Sequence, residues 1–312
     1  MKNKKMAVLG AGALGAVYAS KFHDTPGWSA ALIAHGERYD RLKSQGIVIN
    51  GVPYAIPVSH PDQPAEPADL IIVALKNHHL AGAVQDLVHL VGEGTTVISV
   101  MNGLDSEVTI GSEIGVDKVL YCIVVGIDAV RQENRITFST LGKIFFGAAA
   151  NTEPPSPRVC AVGAALTQAG IAHEIPPDMI RMLWWKFMIN VGINQASAVM
   201  RAPYGVFHVS EDALWLMKTL MREAIALARC EGVQLDERDI DEWCRYLRTL
   251  SPSGEASMLQ DVKAGRKTEV ELFGEKMIEL GQAHNVPTPV NETVTHIIRV
   301  AELQARAGPA LG

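Results

Sequence analysis

Apolar residues in the first 175 positions gather into short runs of strand length, separated by stretches with helical spacing. Runs at residues 6–9, 30–34, 68–76 and 95–101 read as strands. The third is apolar almost throughout, as expected of a strand buried on both faces of a parallel sheet. Residues 46–53 spell a short hairpin turning at Asn50-Gly51, and a Pro-rich stretch over 57–67 follows it. A helix is predicted from the end of the third run through Val91. Residues 118–148 are rich in Val, Ile and Phe and broken at Asn134, which predicts a strand with antiparallel additions to the sheet. A helix over 158–169 and a last strand over 171–175 complete the alternation, which is that of a doubly wound α/β sheet. From Pro176 onward the strand signals stop. Residues 179–200, 211–231, 236–250, 269–284 and 288–306 carry helical periodicity with Gly or Pro between them. Two domains are expected: an α/β domain over 1–175 and an all-helical one over 176–312.

The first helix of the second half is unusual. In Leu183-Trp-Trp-Lys-Phe-Met-Ile-Asn-Val-Gly-Ile-Asn194, the residues Lys186, Asn190 and Asn194 fall at i, i+4 and i+8. On a helix of 3.6 residues per turn they lie within about 80° of one another. Nearly every other position is apolar, so the helix is expected to be buried and its polar stripe buried with it. Buried ammonium and amide groups cost several kcal/mol unless hydrogen-bonded. The stripe therefore faces either polar groups of the protein or a wet cavity that takes a ligand. A buried lysine is also the side chain whose pKa moves most readily, which suits proton transfer. The plainer alternative is that Lys186 pairs with an acid and pins the core.

At the N-terminus, Gly10, Gly12 and Gly15 form G-x-G-x-x-G after a predicted strand and at the opening of a small-residue helix. The first glycine permits a tight turn, the second lets backbone approach a pyrophosphate, and the third lets helix and strand pack closely. The first helical amides, around Ala13 and Leu14, would then hold phosphate. The first 175 residues thus read as a dinucleotide-binding domain. At the tip of the second strand stand His35, Gly36, Glu37 and Arg38. No acid occupies the tip to meet a ribose 2′-hydroxyl, and Arg38 can meet a 2′-phosphate, which favours NADP over NAD. The alternative makes His35 and Arg38 solvated loop residues. Lys76 and Asn102 follow two further strands at their carboxyl ends, facing the cofactor, or else are a loop lysine and a turn residue before Gly103. Farther on, Ser257-Met-Leu-Gln-Asp261 and Gly265-Arg-Lys-Thr-Glu269 form a polar cluster joining two helices. Glu269 is either the partner of Lys186 or merely an acid favoured at a helix start, with Thr268 as the cap.

The bulk composition narrows the function classes. A net charge of −6 without a Lys/Arg cluster argues against nucleic acid as the partner. No apolar run approaches the roughly 20 residues that span a bilayer, and no secretory leader precedes the first strand, so a cytoplasmic protein without membrane attachment is expected. Cys122, Cys160, Cys230 and Cys244 show no C-x-x-C pattern and read as buried free thiols in a reducing compartment. The adjacent pair His78-His79 lacks metal-ligand spacing, and no metal is expected.

Taken together, the glycine fingerprint, Lys76, Asn102-Gly103, Trp185-Lys186-x-x-x-Asn190, and Ser257-Met-x-Gln-Asp followed by Gly-Arg-x-Thr-Glu269 resemble the ketopantoate reductase (2-dehydropantoate 2-reductase) family over nearly the whole chain. That resemblance implies a Rossmann domain joined to an all-helical domain like that of 6-phosphogluconate dehydrogenase. It implies reduction of a 2-keto acid to the (R)-2-hydroxy acid with NADPH, in pantothenate synthesis. Carried over by position, Lys186 is the general acid and Glu269 holds that lysine and the substrate hydroxyl. Asn190, Asn194 and Ser257 bind substrate, Asn102 sits by the nicotinamide, and Lys76 by cofactor and substrate. The chain departs from the family's usual pattern at three places. His35 stands where an arginine is usual, Tyr204 replaces an asparagine that often contacts substrate, and Met101 stands where a polar residue commonly precedes Asn-Gly. A homodimer through the helical half is compatible with this plan. A reductase of another branched keto acid or an imine, and a non-catalytic NADP(H) sensor, remain as alternatives.

Overall fold

A computed structural model describes residues 3–63 and 65–307. It resolves into two units, Met1–Met182 and Leu183–Gly312.

The first unit is built on β1 (Lys4–Leu9), α1 (Ala13–His23), β2 (Trp28–Ile33), α2 (Gly36–Gln45), β3 (Ile47–Ile49), β4 (Val52–Tyr54), β5 (Val58–Ser59), β6 (Leu70–Val73), α3 (Asn77–Ala83), β7 (Thr96–Ser99), α4 (Ser106–Ile114), β8 (Val119–Ile127), β9 (Val130–Gln132), β10 (Arg135–Thr137), β11 (Leu141–Gly147), α5 (Pro157–Gln168) and β12 (His173–Glu174). The main sheet runs β12-β11-β8-β7-β6-β1-β2-β5 and is parallel except where β11 meets β8. Its strands alternate faces as two-sided burial requires. Met6, Val8 and Ile72 pack into one apolar layer, while Ala7, Leu9, Ile71 and Val73 pack into the other. The chain proceeds from β1 outward through β2 to β5, then returns to start β6 on the other side of β1. The point of reversal, between β1 and β6, is where open α/β sheets bind ligands beyond their carboxyl ends.

The doubly wound α/β class is borne out, with corrections in detail. The hairpin at Asn50-Gly51 forms, with Ile49 opposite Val52 and positive φ at both turn residues. However, β9 and β10 do not extend the main sheet. They join that hairpin in a separate four-stranded sheet, β4-β3-β10-β9, through parallel pairing of Arg135 with Val48 and Ile136 with Ile49. Partners some 90 residues apart leave no local signal of this pairing. The stretch after His35 is not a loop but the helix α2. Only its Leu42 is buried, so its sequence carries too little apolar periodicity to announce a helix.

The second unit takes up α6 (Met179–Met200) from Leu183 onward and adds α7 (Tyr204–Val209), α8 (Glu211–Cys230), α9 (Glu237–Leu247), α10 (Ser257–Lys263), α11 (Lys276–His284) and α12 (Pro289–Ala307). No strand occurs in it among the described residues. The expected polar connector contains a helix, α10, and the span predicted from residue 269 opens with a π turn, Glu271–Glu275, before α11. Gly274 lies in that turn, and a Cβ there would strike the Thr295 hydroxyl. All four cysteines are free, but only Cys122 and Cys244 are buried. Cys160 and Cys230 are exposed, on helix faces that period-counting did not place outward. Among the described residues no helix is long and apolar enough to cross a membrane, and no cluster of three metal-ligating side chains occurs.

Candidate functional site

Four consecutive strands of the first unit bring sequence-predicted residues to one edge. In spatial order these are Asn102 after β7, Lys76 after β6, the glycine loop after β1, and His35 and Arg38 after β2. The loop is held by backbone. Gly10 has φ +104° and packs so closely on the carbonyl of Ala74, at the end of β6, that a Cβ would lie 2.5 Å from that oxygen. Gly12 begins α1, whose N-terminus has no side-chain cap and no acid in its first turn. The amides of Ala13, Leu14 and Gly15 are therefore left for an anion. At Gly15 a Cβ would collide with the Gly10 carbonyl, and it would come within 2.9 Å of Val8 Cγ1. The loop packs this closely only with glycine at Gly10 and Gly15, and the uncapped amides of α1 beside it fit the pyrophosphate of NADP. Gly15→Ala should push α1 off the loop and weaken NADPH binding about tenfold, read by titrating NADPH fluorescence; an unchanged Kd would deny the loop its role.

His35 is exposed and lies 3.6 Å from the Asp86 carboxylate. Arg38 is half-buried in the first turn of α2, and burial together with Arg41 one turn on holds its pKa below the usual arginine value. Lys76 occupies the cap position of α3, and Asn102 lies in the turn between β7 and α4, just before Gly103 at φ +101°. Beneath that turn, Ser99 Oγ and Ser106 Oγ are 2.8 Å apart, and Ser106 donates to the buried carboxyl of Glu107 at 2.9 Å. Sequence reading missed Glu107, whose polar neighbours Asp105, Ser106 and Thr109 make it look like one more surface acid.

In the second unit, α6 is buried as expected. Phe187, Met188, Ile189, Val191 and Ile193 are all core residues, and Asn190 and Asn194 are each only 4% exposed. Asn194 Nδ2 donates to Asn190 Oδ1 at 3.2 Å, and Asn194 Oδ1 accepts from Ser257 Oγ at 3.1 Å and from the Met258 amide at 3.2 Å. The start of α10 is thus stitched to the polar stripe, bringing Asn190, Asn194 and Ser257 together. Lys186 heads the same stripe one turn before Asn190. Burial lowers its ammonium to about 8, and among the described residues it has no hydrogen bond or ion pair. Glu269 is 7% exposed and lies just before the π turn, where its carbonyl accepts the Leu272 and Phe273 amides. Thr268 beside it is tied to the Glu302 carboxylate by amide and hydroxyl at 2.6 Å, and accepts the Val270 amide at 3.2 Å. The direct ion pair between Lys186 and Glu269 is not among the contacts of Lys186. Tyr204 stacks its ring edge over Gly254, in the segment that leads into Ser257, and burial beside Tyr246 raises its phenol to about 12.

Two sequence models of one family match this chain. The ketopantoate reductase PanE/ApbA model covers residues 6–151, and the PanE/ApbA C-terminal model covers 178–302. The chain belongs to the ketopantoate reductase family. Membership makes it an oxidoreductase, and NADP is the cofactor that this family uses. A 2-dehydropantoate 2-reductase of Aquifex aeolicus is 26% identical over 96% of this chain and 97% of its own. The fold is also that of a D-mandelate dehydrogenase solved with NADH and anilino(oxo)acetate, at 19% identity and TM-score 0.87, covering 97% of this chain and 99% of that one. A dimeric ketopantoate reductase from Staphylococcus aureus shares it at 19% identity and TM-score 0.78, covering 96% and 99%.

Proposed function

We propose that this member of the family reduces 2-dehydropantoate to (R)-pantoate with NADPH, as a cytoplasmic enzyme of pantothenate synthesis and a homodimer. In this reading the α/β domain of residues 1–175 holds the nucleotide and the helical domain of 176–312 holds the keto acid. The observation that carries it is the buried stripe of α6, where an ammonium without an anionic partner heads a chain of amides and a hydroxyl. A half-buried cation in that state is costly on its own and gains most from an incoming anion or a developing oxyanion.

When bound on the glycine loop, NADPH would supply a hydride for the carbonyl carbon. Lys186 supplies the proton: its Nζ–H donates to the ketone oxygen, stabilises the charge that builds there, and leaves the proton on the product hydroxyl. With its pKa at about 8, the ammonium is mostly protonated at neutral pH yet gives up its proton readily. Asn190, Asn194 and Ser257 hold the carboxylate and hydroxyl groups of the substrate. Their mutual hydrogen bonds fix each amide's orientation before substrate arrives. Glu269 binds the substrate hydroxyl and orients the lysine through it. Gly10, Gly12, Ala13, Leu14 and Gly15 hold the pyrophosphate, while Asn102 and Lys76 orient the nicotinamide end. His35 and Arg38 lie at the ribose end.

Tyr204 favours a second reading within the same chemistry, a keto acid with a different side chain, because a ring replaces the amide usual there. Both readings are tested by following NADPH and NADH oxidation with ketopantoate beside other branched and aromatic 2-keto acids. Ketopantoate with NADPH should give the highest kcat/KM. A higher value on another keto acid moves the substrate assignment. NADPH binding without turnover on any of them makes the protein a nucleotide sensor and overturns the proposal.

A further inference from the structure

The small sheet has no part in the reduction described above, yet it places a cation on the nucleotide loop. Arg131, in β9, donates from Nη1 to the carbonyl of Ala11, between the first two glycines of the fingerprint, and from Nε to the carbonyl of Glu133 at 2.6 Å. Arg38 and Arg41 lie at i and i+3 on α2, on one side of that helix, which starts where β2 ends. These three guanidinium groups are gathered from two elements onto the carboxyl ends of β1 and β2. Among the described residues no carboxylate is paired with any of them. They feel one another: burial, then Arg38 and Arg41, hold Arg131 below the usual arginine value, and burial, then His78 and Arg38, hold His79 below the usual histidine value.

Three like charges with no carboxylate paired to them repel one another, and a bound anion relieves that repulsion. The carboxyl ends of β1 and β2 receive the adenosine ribose of a bound dinucleotide, while the pyrophosphate lies on the helix amides. The group that distinguishes the two nicotinamide dinucleotides, a dianionic phosphate on the ribose 2′-oxygen, belongs at that end. A planar guanidinium pinned through Nη1 and Nε has its remaining N–H groups fixed in direction, ready for a phosphate fork. His35, where an arginine is usual in the family, leaves this charge to be supplied from elsewhere.

We propose that Arg131, carried by the small sheet, is a coenzyme-discriminating residue that binds the 2′-phosphate of NADP(H) together with Arg38 and Arg41. The inference rests on the reading of the glycine loop as a dinucleotide cradle, but not on the identity of the keto acid.

The test is equilibrium binding, which needs no turnover. Dissociation constants for NADPH, NADH, adenosine 2′,5′-bisphosphate and AMP are measured by fluorescence and calorimetry for the wild type, Arg131→Ala and Arg131→Lys, with a thermal melt of each. Arg131→Ala should raise the Kd of NADPH and of the bisphosphate about tenfold to thirtyfold while changing those of NADH and AMP less than about threefold. Arg131→Lys, which keeps the charge and loses the fork, should fall between. An equal loss for all four ligands would make Arg131 only a prop of the Ala11 carbonyl, and no loss for NADPH would remove it from the site; either overturns the inference. A wild type that prefers NADH would overturn it too, while leaving keto acid reduction standing with the other coenzyme. NADPH discrimination that depends on Arg131, in a protein that reduces no keto acid, would uphold it while the reductase reading failed.

Discussion

Replacing Lys186 with Met should lower kcat by roughly 10²–10⁴, an effect of about 3–5 kcal/mol on the barrier, while NADPH affinity changes little. Methionine fills much the same volume and suits the apolar surroundings of α6, so the helix should stay folded and the loss should report chemistry alone. The asymmetry between kcat and nucleotide affinity is what distinguishes a proton donor from a binding residue. Retention of more than a tenth of wild-type turnover in Lys186→Met, with ketopantoate or the best keto acid, would remove the lysine from the proton path.

The second large effect lies away from the substrate. Burial raises the Glu107 carboxyl to about 7, the hydrogen bond from Ser106 and the Cys122 amide at 3.3 Å only partly offsetting it. Because this acid titrates higher in the folded chain than in the unfolded one, the folded state holds the extra proton between about pH 4.5 and 7. Its contribution to stability is therefore full below the unfolded pKa and is lost as pH rises through the folded value. The difference amounts to about 3 kcal/mol between the two ends. Glu107→Gln stays neutral throughout, and the Ser106 hydroxyl can turn to accept from the new amide. The variant should match the wild type near pH 5 and be more stable by about 2–3 kcal/mol at pH 8, measured as the difference in unfolding transitions at each pH. An equal difference at both pH values would mean that the carboxyl is not neutral in the folded chain. Since Ser99 and Ser106 bracket the turn that carries Asn102, this buried proton lies directly under a predicted nucleotide contact.

How much of this could be read from the residues alone follows from the range of the interactions. The glycine cradle and the α6 stripe were legible because each is local: φ at Gly10, helix packing at Gly15, and the i, i+4, i+8 spacing of Lys186, Asn190 and Asn194 are all written within a dozen residues. The strands β1, β6 and β7 were legible because two-sided burial makes them apolar throughout. Arg131 was not, since its place on the Ala11 carbonyl depends on β9 joining β10, and on β10 finding β3 some 90 residues earlier. Arg41 was hidden by the polar surface of α2, which conceals the helix and with it the i, i+3 relation to Arg38. Glu107 stood in plain view after Ser106, but only the packing of α4 against the sheet decides that its carboxyl points inward. The residues left Glu269 either the partner of Lys186 or an acid at a helix start; the ammonium has no ion pair among the described residues, so in the proposed mechanism substrate is the link between them.

The most direct test of the central claim is the pH dependence of kcat/KM for keto acid reduction in the wild type and in Lys186→Met. The account predicts that wild-type kcat/KM falls above about pH 8, where the free enzyme's ammonium loses its proton, and that the residual activity of Lys186→Met lacks this limb. A limb that persists unchanged in Lys186→Met would place the proton on another group and contradict the mechanism.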